Sequence, residues 1–213
     1  MNARPVIYVL AGVNGAGKST VGGYLLERVG LGWFNPDQFA AALVANHQYE
    51  QSAANAIAWQ EGMRRLADAV ASRHNFAFET TLGGTTVAAK LCSASATHDL
   101  LVWFCGLSSP ELHLARVRAR VAAGGHDIAE ALIRQRYPAA IANLIALMPY
   151  IAHLQVFDNS AQAQPGQAIA NPILVAEMDA GKLIWPTDIA SLKRTPDWAK
   201  PLAEAALVLS KLR

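Results

Sequence analysis

The sequence Val6-Ile-Tyr-Val-Leu-Ala-Gly-Val-Asn-Gly-Ala-Gly-Lys-Ser-Thr20 decides the fold, because an apolar run passes directly into a glycine-rich turn. Residues 12–19 match the pattern G-x-x-x-x-G-K-[ST], which joins a strand to a helix and turns successive backbone N–H groups toward phosphate oxygens. The N-terminus of the following helix adds partial positive charge. We therefore expect a phosphate-binding loop, here called the P-loop, with these nucleotide-binding residues: Gly12, Val13, Asn14, Gly15, Ala16, Gly17, Lys18, Ser19 and Thr20.

Two side chains of this loop have specific expected roles. In P-loops the lysine reaches the β- and γ-phosphates and the hydroxyl binds Mg²⁺, so Lys18 and Ser19 are candidates for these contacts. A glycine-rich turn that binds nothing has no use for a lysine and a serine at these offsets. The motif therefore predicts a nucleoside triphosphate and Mg²⁺ as cofactors, and the absence of an Asn-Lys-x-Asp sequence argues against a guanine-specific switch, so we expect ATP.

The composition sets limits on the remaining possibilities. A chain of 213 residues has the length of one domain, and a net charge of +2 disfavours a general nucleic-acid binder. The most apolar stretch, residues 139–157, is interrupted by polar residues and a proline, which argues against a membrane span. Cys92 and Cys105 suit free thiols in a reducing compartment, so we expect a cytoplasmic protein.

Short apolar runs alternate with segments of helical periodicity, which is typical of an α/β fold. The predicted strands are Val6–Ala11, Gly32–Asn35, Phe76–Glu79, Leu100–Gly106 and Leu154–Asp158. The predicted helices are Lys18–Val29, Ser52–Arg73, Thr86–Ala94, Pro110–Val121 and Ile128–Ile151. Pro138 should split the last helix, because proline removes a backbone donor and clashes with the preceding turn.

The order of these elements predicts a P-loop NTPase fold similar to that of nucleoside monophosphate kinases. We expect a five-stranded parallel sheet with helices on both faces and a helical lid that carries arginines. The runs Ile173–Met178 and Lys182–Trp185 should form a small hairpin, and a closing helix should follow it. The chain is then a single domain over residues 1–213, with a core of about 160 residues and a C-terminal addition from about residue 161.

Acidic residues lie at the ends of three predicted strands. Ligands of open α/β sheets bind at the carboxyl ends of the strands. Asp37 is a candidate general base for an attacking hydroxyl, yet Asn35-Pro36-Asp37-Gln38 also fits the start of a helix with a capping box. Glu79 could hold a substrate hydroxyl or, through water, Mg²⁺, or it could be a solvated residue at the end of a strand. Asp158 fits a metal-binding Walker B aspartate and a turn residue equally well.

Five arginines fall between Arg116 and Arg136, on both sides of Gly124-Gly125-His126. Asp127 with Glu130 forms a plausible capping box for the second helix of this segment. A helix, a glycine hinge and a second helix suit a lid that brings cations onto transferring phosphate and excludes water. A solvated basic face or an RNA-binding patch is the alternative. His126 could bind substrate through a phosphate or a ribose, or it could only form a hydrogen bond within its own loop.

These residues together resemble the zeta-toxin family of P-loop kinases. The resemblance covers about residues 5 to 160, and its more specific blocks are Phe78-Glu79-Thr80-Thr81-Leu82 and Gly124-Gly125-His126-Asp127-Ile128. It extends to Asn35-Pro36-Asp37, to the arginine segment and to Asp158-Asn159-Ser160. The chain departs from the family pattern at Gly83, where family members carry an arginine.

The resemblance implies a kinase that phosphorylates a sugar hydroxyl of a nucleotide sugar such as UDP-N-acetylglucosamine. It implies Asp37 as the catalytic base, and it implies Glu79, Thr81 and His126 on the acceptor or metal side. The expected clamps on the γ-phosphate are Lys18, Arg120, Arg134 and Arg136. It also implies an antitoxin protein as a partner.

Two other functions remain open at the level of the sequence. One is a binding module that uses nucleotide to order its arginine lid against RNA or a protein. The other is a polynucleotide 5′-hydroxyl kinase, although its acceptor channel should be broadly basic, and five of the twelve arginines here are concentrated in one segment.

Overall fold

A computed structural model of the chain describes residues 4–20, 22, 26, 30–161 and 171–212. Its centre is a six-stranded sheet in the order β2-β1-β3-β4-β5-β6. The strands β2, β1, β3 and β4 pair in parallel, whereas β5 pairs antiparallel with β4 and β6 pairs antiparallel with β5. The strands are β1 (Val6–Ala11), β2 (Phe76–Thr80), β3 (Asp99–Gly106), β4 (His153–Asp158), β5 (Ile173–Asp179) and β6 (Lys182–Trp185).

Eight helices surround the sheet in the described part of the chain. The first, α1, begins at Lys18 and is helical at the described residues 18–20, 22 and 26. The others are α2 (Pro36–His47), α3 (Gln51–Ser72), α4 (Thr85–Ala94), α5 (Pro110–Ala122), α6 (Glu130–Leu147), α7 (Ile189–Arg194) and α8 (Lys200–Lys211).

The sequence explains where several helices begin. Asn35 caps α2 by accepting hydrogen bonds from the backbone N–H groups of Asp37 and Gln38, and Pro36 occupies the first turn, where no N–H is needed. Ser109 and Pro110 act in the same way at the start of α5. These caps fix the positions at which α2 and α5 leave the sheet.

Both faces of the sheet are covered, as the α/β prediction requires. Ile7, Val9 and Ala11 lie in the main core, whereas Leu10 packs with Leu26 of α1 in a second cluster on the opposite face. This alternation follows from the period of two in a strand. No helix in the described ranges is long and apolar enough to cross a membrane.

The P-loop α/β fold is confirmed, but the sheet differs from the five parallel strands that we predicted. Residues 32–35 do not form a strand: Phe34 makes a single parallel bridge to Phe78, because Pro36 ends the ladder and starts α2. The predicted C-terminal hairpin is correct, and it extends the sheet through antiparallel pairing of β5 with β4.

Two predictions about α6 are wrong. The helix continues through Pro138, because its buried side chains, including Ile133 and Leu144, keep both halves packed on the core and offset the proline penalty of about 3 kcal/mol. Asp127 and Glu130 do not form a capping box: Ala129 is the N-cap, and Asp127 accepts a hydrogen bond from the neighbouring Ile128 N–H. The end of the predicted helix Lys18–Val29 lies partly outside the described residues.

The C-terminal segment contributes to the main core. Trp198, Leu202 and Ala206 belong to the same apolar cluster as β1, β3 and β4. Trp198 packs on Gly106 at the end of β3, where any side chain would collide with the indole. Residues 162–170 and 213 of the predicted addition lie outside the described residues.

Candidate active site

The P-loop follows β1 and requires glycine at three positions. Gly12, Gly15 and Gly17 have φ angles of 139°, 82° and 85°, which residues with a Cβ rarely adopt. A side chain on Gly12 would collide with the backbone carbonyl of Cys105 in β3. The loop therefore lies close against the sheet, and its N–H groups precede the first turn of α1, where an anion is favoured.

Lys18, Ser19 and Glu79 meet at the carboxyl edge of the sheet. Lys18 Nζ lies 3.4 Å from Glu79 Oε1, and each of the two side chains is only 7% exposed. The Ser19 hydroxyl donates to Glu79 Oε2 at 2.8 Å, and the Asn35 amide donates to the same oxygen at 3.0 Å. Glu79 is therefore a buried, fully engaged carboxylate rather than a solvated strand end.

Asp37 occupies the first turn of α2 and is 41% exposed. Its Oδ2 atom lies 3.8 Å from Arg120 Nη1 and 3.9 Å from His126 Nε2. Arg120 also donates to the carbonyl of His126, which holds the glycine hinge against the end of α5. The structure thus brings the lid to the residue predicted as the general base.

Two polar atoms of this lid remain without a hydrogen bond from the described residues. They are Arg120 Nε and His126 Nε2, and both are buried. Buried donors of this kind carry a desolvation penalty that an oxygen-rich ligand would relieve. Their position beside Asp37 makes them candidate contacts for phosphate oxygens.

The two predicted arginines of α6 have different environments. Arg136 donates to Asn14 Oδ1 of the P-loop at 2.7 Å, and burial lowers the pKa of its guanidinium. Arg134 forms ion pairs with Glu111 at 2.7 Å and Glu130 at 2.8 Å. The structure brings Arg136 to the site and leaves Arg134 on the outer surface of the lid.

The stem of Arg136 lies directly against Gly83, so that a side chain at residue 83 would overlap it. Glycine at this position therefore leaves room for the stem of Arg136 beside the cleft. Thr81 lines the same cleft, and its hydroxyl accepts a hydrogen bond from the Gly83 N–H at 3.4 Å.

A cleft of about 180 Å³ opens beside the P-loop, between α3, α6 and the end of β2. It combines ionic, amide and hydroxyl groups with apolar side chains. Its lining is Asn14, Lys18, Asn35, Pro36, Asp37, Asn55, Ala58, Trp59, Gly62, Met63, Phe78, Glu79, Thr80, Thr81, Val87, Ile128, Leu132 and Arg136. The P-loop residues Val13, Ala16 and Thr20 are not part of this lining. The Thr20 N–H donates a hydrogen bond to the Gly17 carbonyl.

Three residues contact the P-loop or its supports in a role that the sequence did not predict, and one of them, Arg116, was expected in the lid. The Asn159 amide donates to the Ala16 carbonyl at 2.9 Å, and Arg116 donates to the Asn159 carbonyl at 2.6 Å. His113 contacts the Asn14 carbonyl through Nδ1 at 2.8 Å, and burial lowers the pKa of its imidazole to about 4. A neutral His113 therefore donates its Nδ1–H to that carbonyl.

Asp158 is engaged by its neighbours at the end of β4. Its carboxylate accepts hydrogen bonds from Ser160 and, at 3.3 Å, from the Trp198 indole, so it serves as a turn residue at the end of β4. Sequence alone left this choice open. Across the described residues, no cluster of three or more His, Cys, Asp or Glu side chains forms a ready metal site.

Comparison with known proteins finds relatives of a large part of this chain. The family model described as "Zeta toxin" matches residues 1–137. An uncharacterized protein of Haemophilus influenzae is 28% identical over 144 residues, which are 64% of this chain and 94% of that protein.

Two solved structures show the same fold. One is a chain of the AvrRxo1-ORF1:-ORF2 crystal structure with ATP, with a TM-score of 0.64 and 14% identity; the match covers 97% of this chain and 64% of that one. The other belongs to the PezAT chromosomal toxin–antitoxin system of Streptococcus pneumoniae, with a TM-score of 0.55 and 14% identity, covering 74% of this chain and 68% of that one. The matched region contains the P-loop, Asp37, Glu79 and both arginine helices up to Tyr137. The chain therefore belongs to the zeta-toxin family of P-loop kinases, which are nucleotide-dependent phosphotransferases.

Proposed function

We propose that the protein is an ATP- and Mg²⁺-dependent kinase that transfers the γ-phosphate to a hydroxyl of a nucleotide sugar such as UDP-N-acetylglucosamine. The observation that carries this proposal is the single cleft in which Lys18 of the P-loop and the accessible carboxylate of Asp37 both lie. One residue can hold the donor phosphate, and the other can receive the proton of an acceptor hydroxyl.

In the proposed reaction Asp37 accepts the hydroxyl proton while the hydroxyl oxygen forms a bond to the γ-phosphorus. The bond between that phosphorus and the β,γ-bridging oxygen breaks, and ADP leaves. The exposure of Asp37 and its place in the first turn of α2 leave the carboxylate open to an incoming hydroxyl. Positioning and charge stabilisation supply most of the rate in reactions of this type.

The donor chemistry of the site fits Mg²⁺. The Ser19 hydroxyl and the Glu79 carboxylate are oxygen ligands of the kind that Mg²⁺ prefers, and they lie 2.8 Å apart. Ser19 would hold the ion directly, and Glu79 would hold it through water. The bound ion would neutralise charge on the β- and γ-phosphates.

Three cations surround the proposed path of the phosphate. Lys18 is contributed by the P-loop, Arg120 by α5 and Arg136 by α6. Planar guanidinium groups suit the three equatorial oxygens of a transferring phosphate, because each can donate two parallel hydrogen bonds. Arg134 stays a predicted clamp that would have to leave Glu111 and Glu130 to take part.

We further propose that residues 1–213 act as one kinase domain in the cytoplasm and that an antitoxin protein restrains it. The family and the toxin–antitoxin system named for the PezAT structure support the partner. Cys92 and Cys105 are free thiols, which suits a reducing compartment.

The test is an assay with γ-labelled ATP against a panel of UDP-sugars, nucleosides, free sugars and RNA. We expect label on UDP-N-acetylglucosamine, and label on RNA alone would contradict the proposal. Asp37→Asn should reduce turnover by roughly 10²- to 10⁴-fold while ATP binding persists, since only the base is lost. Asp68→Asn, on the exposed side of α3, is the matched control and should keep full activity.

A further inference from the structure

Asn35 joins two parts of the site that come from different elements. Its side-chain oxygen accepts hydrogen bonds from the backbone N–H groups of Asp37 at 2.9 Å and Gln38 at 3.1 Å. Its amide nitrogen donates to Glu79 Oε2 at 3.0 Å and to the Ser19 hydroxyl at 3.3 Å. One side chain therefore contacts the helix turn that carries the candidate base, the end of β2 and the P-loop hydroxyl.

The amide of Asn35 uses its full hydrogen-bonding capacity in these contacts. A side-chain amide has two N–H groups and two oxygen lone pairs, and Asn35 forms four hydrogen bonds. Turning the amide over would set its N–H groups against backbone N–H groups and its oxygen against a carboxylate oxygen. The residue is only 7% exposed, so little water can replace any of the four bonds. Asn35 is therefore a rigid connection with one orientation.

Capping of α2 does not explain the contacts of the amide nitrogen. Serine, aspartate and asparagine are N-caps of similar strength, and all of them cap through an oxygen. Ser109 and Asp188 cap α5 and α7 in this way. The two bonds that Asn35 donates to Glu79 and Ser19 are additional to the cap, and their effect is to attach the start of α2 to the site.

The start of α2 is held to β2 by the main chain as well. The Glu79 N–H donates to the Phe34 carbonyl at 2.9 Å, one residue before Asn35. Asp37 follows two residues after Asn35, and the two lid side chains beside its carboxylate stay 3.8 and 3.9 Å away. These distances exceed the range of a hydrogen bond. The place of Asp37 is thus set by the helix start, which Asn35 attaches to Glu79.

We propose that Asn35 is a positioning residue that fixes Asp37 relative to Ser19 and Glu79, and thereby fixes the acceptor hydroxyl relative to the γ-phosphate. This inference rests on the proposed function and names what sets the spacing between its two halves. A misplacement of about 1 Å costs on the order of a hundredfold in rate, so a rigid link between base and P-loop has a direct kinetic effect.

The variant Asn35→Ser separates this connection from the cap in the full-length protein. The serine hydroxyl can still accept from the first turn of α2, but it ends one bond short of Nδ2 and does not reach Glu79. With UDP-N-acetylglucosamine as acceptor, kcat should fall on the order of a hundredfold, while the KM for ATP changes less than about threefold. Asn35→Ala also removes the cap, so it should lower Tm further than Asn35→Ser without a larger loss of kcat. A kcat of Asn35→Ser within about threefold of the wild type would overturn the proposal.

A double-mutant cycle shows whether Asn35 acts through Asp37. In the Asp37→Asn background the base is already lost, so Asn35→Ser should lower kcat by less than about a further threefold. An equal loss from Asn35→Ser in the two backgrounds would mean that Asn35 acts on another part of the site, and would overturn the proposal.

The matched control is Asp188→Ala, which removes the N-cap of α7 outside the cleft and should lower Tm without changing kcat or either KM. The proposed acceptor can be wrong while this inference holds. The same cycle is then measured with the acceptor of the panel that carries label, or with water as the acceptor in ATP hydrolysis. Equal losses in the two backgrounds overturn the positioning role alone, whereas the absence of any phosphate release overturns both proposals.

Discussion

Replacing Glu79 with glutamine removes one charge from the buried ion pair that Glu79 forms with Lys18 of the P-loop. The amide can still accept the hydrogen bonds from Ser19 and Asn35, but Lys18 Nζ loses the carboxylate 3.4 Å away. Removal of one partner from a buried ion pair costs roughly 3–5 kcal/mol, and the retained hydrogen bonds place this variant near the lower limit, about 3 kcal/mol. For a chain of this size that free energy corresponds to a fall in Tm of about 6–12 °C.

Thermal unfolding of the wild type and Glu79→Gln, each with and without saturating ATP, measures the effect. We expect the difference in Tm to shrink with ATP, because the phosphates would give Lys18 a new anionic partner. Glu111→Gln is the matched control: it breaks the exposed ion pair with Arg134 and should change Tm very little. A Glu79→Gln variant that melts within about 2 °C of the wild type without ATP would refute the reasoning.

Three further predictions concern the lid and the P-loop support. Arg136→Ala should lower kcat on the order of a hundredfold or more, whereas Arg134→Ala should change it less than about threefold; equal losses in the kinase assay would contradict the placement of these residues. Asn159→Ala removes a hydrogen bond to the P-loop and should weaken ATP binding by about fivefold in a titration, equivalent to about 1 kcal/mol, and unchanged affinity would exclude Asn159 as a support. Burial lowers the pKa of His113 from 6.5 to about 4, so the unfolded chain binds the proton first and stability should fall as pH drops from 6.5 to 4. His113→Asn should show a shallower fall in Tm over this range, and parallel curves would contradict the assignment.

The P-loop was predictable because its determinants are local. Three glycines, Lys18 and Ser19 lie within eight consecutive residues, and their backbone angles depend on glycine itself. The N-cap at Asn35 was predictable for the same reason. Asp37 lies in the first turn of α2 and also lines the cleft, so the helix start and a place at the site are compatible, and its catalytic role stays a prediction.

The supports of the site could not be predicted, because they join distant parts of the chain. The hydrogen bond from Asn159 to Ala16 spans 143 residues, and that from Arg136 to Asn14 spans 122. No rule based on local residue spacing relates residues that are so far apart in the sequence. The same holds for Pro138, where local propensity predicted a break and tertiary packing of α6 prevailed.

Trp198, which packs on the last residue of β3, shows that the folded unit extends beyond the region matched by the family model. The family match ends at residue 137, but the apolar cluster that contains β1 and β3 is completed by β4 and by Trp198, Leu202 and Ala206. A fragment cut at residue 137 would carry nearly every predicted site residue and would leave β3 as an open, apolar sheet edge, which invites aggregation. Inactivity of such a fragment would therefore report a missing half of the core and would say nothing about the chemistry of the motifs that it keeps.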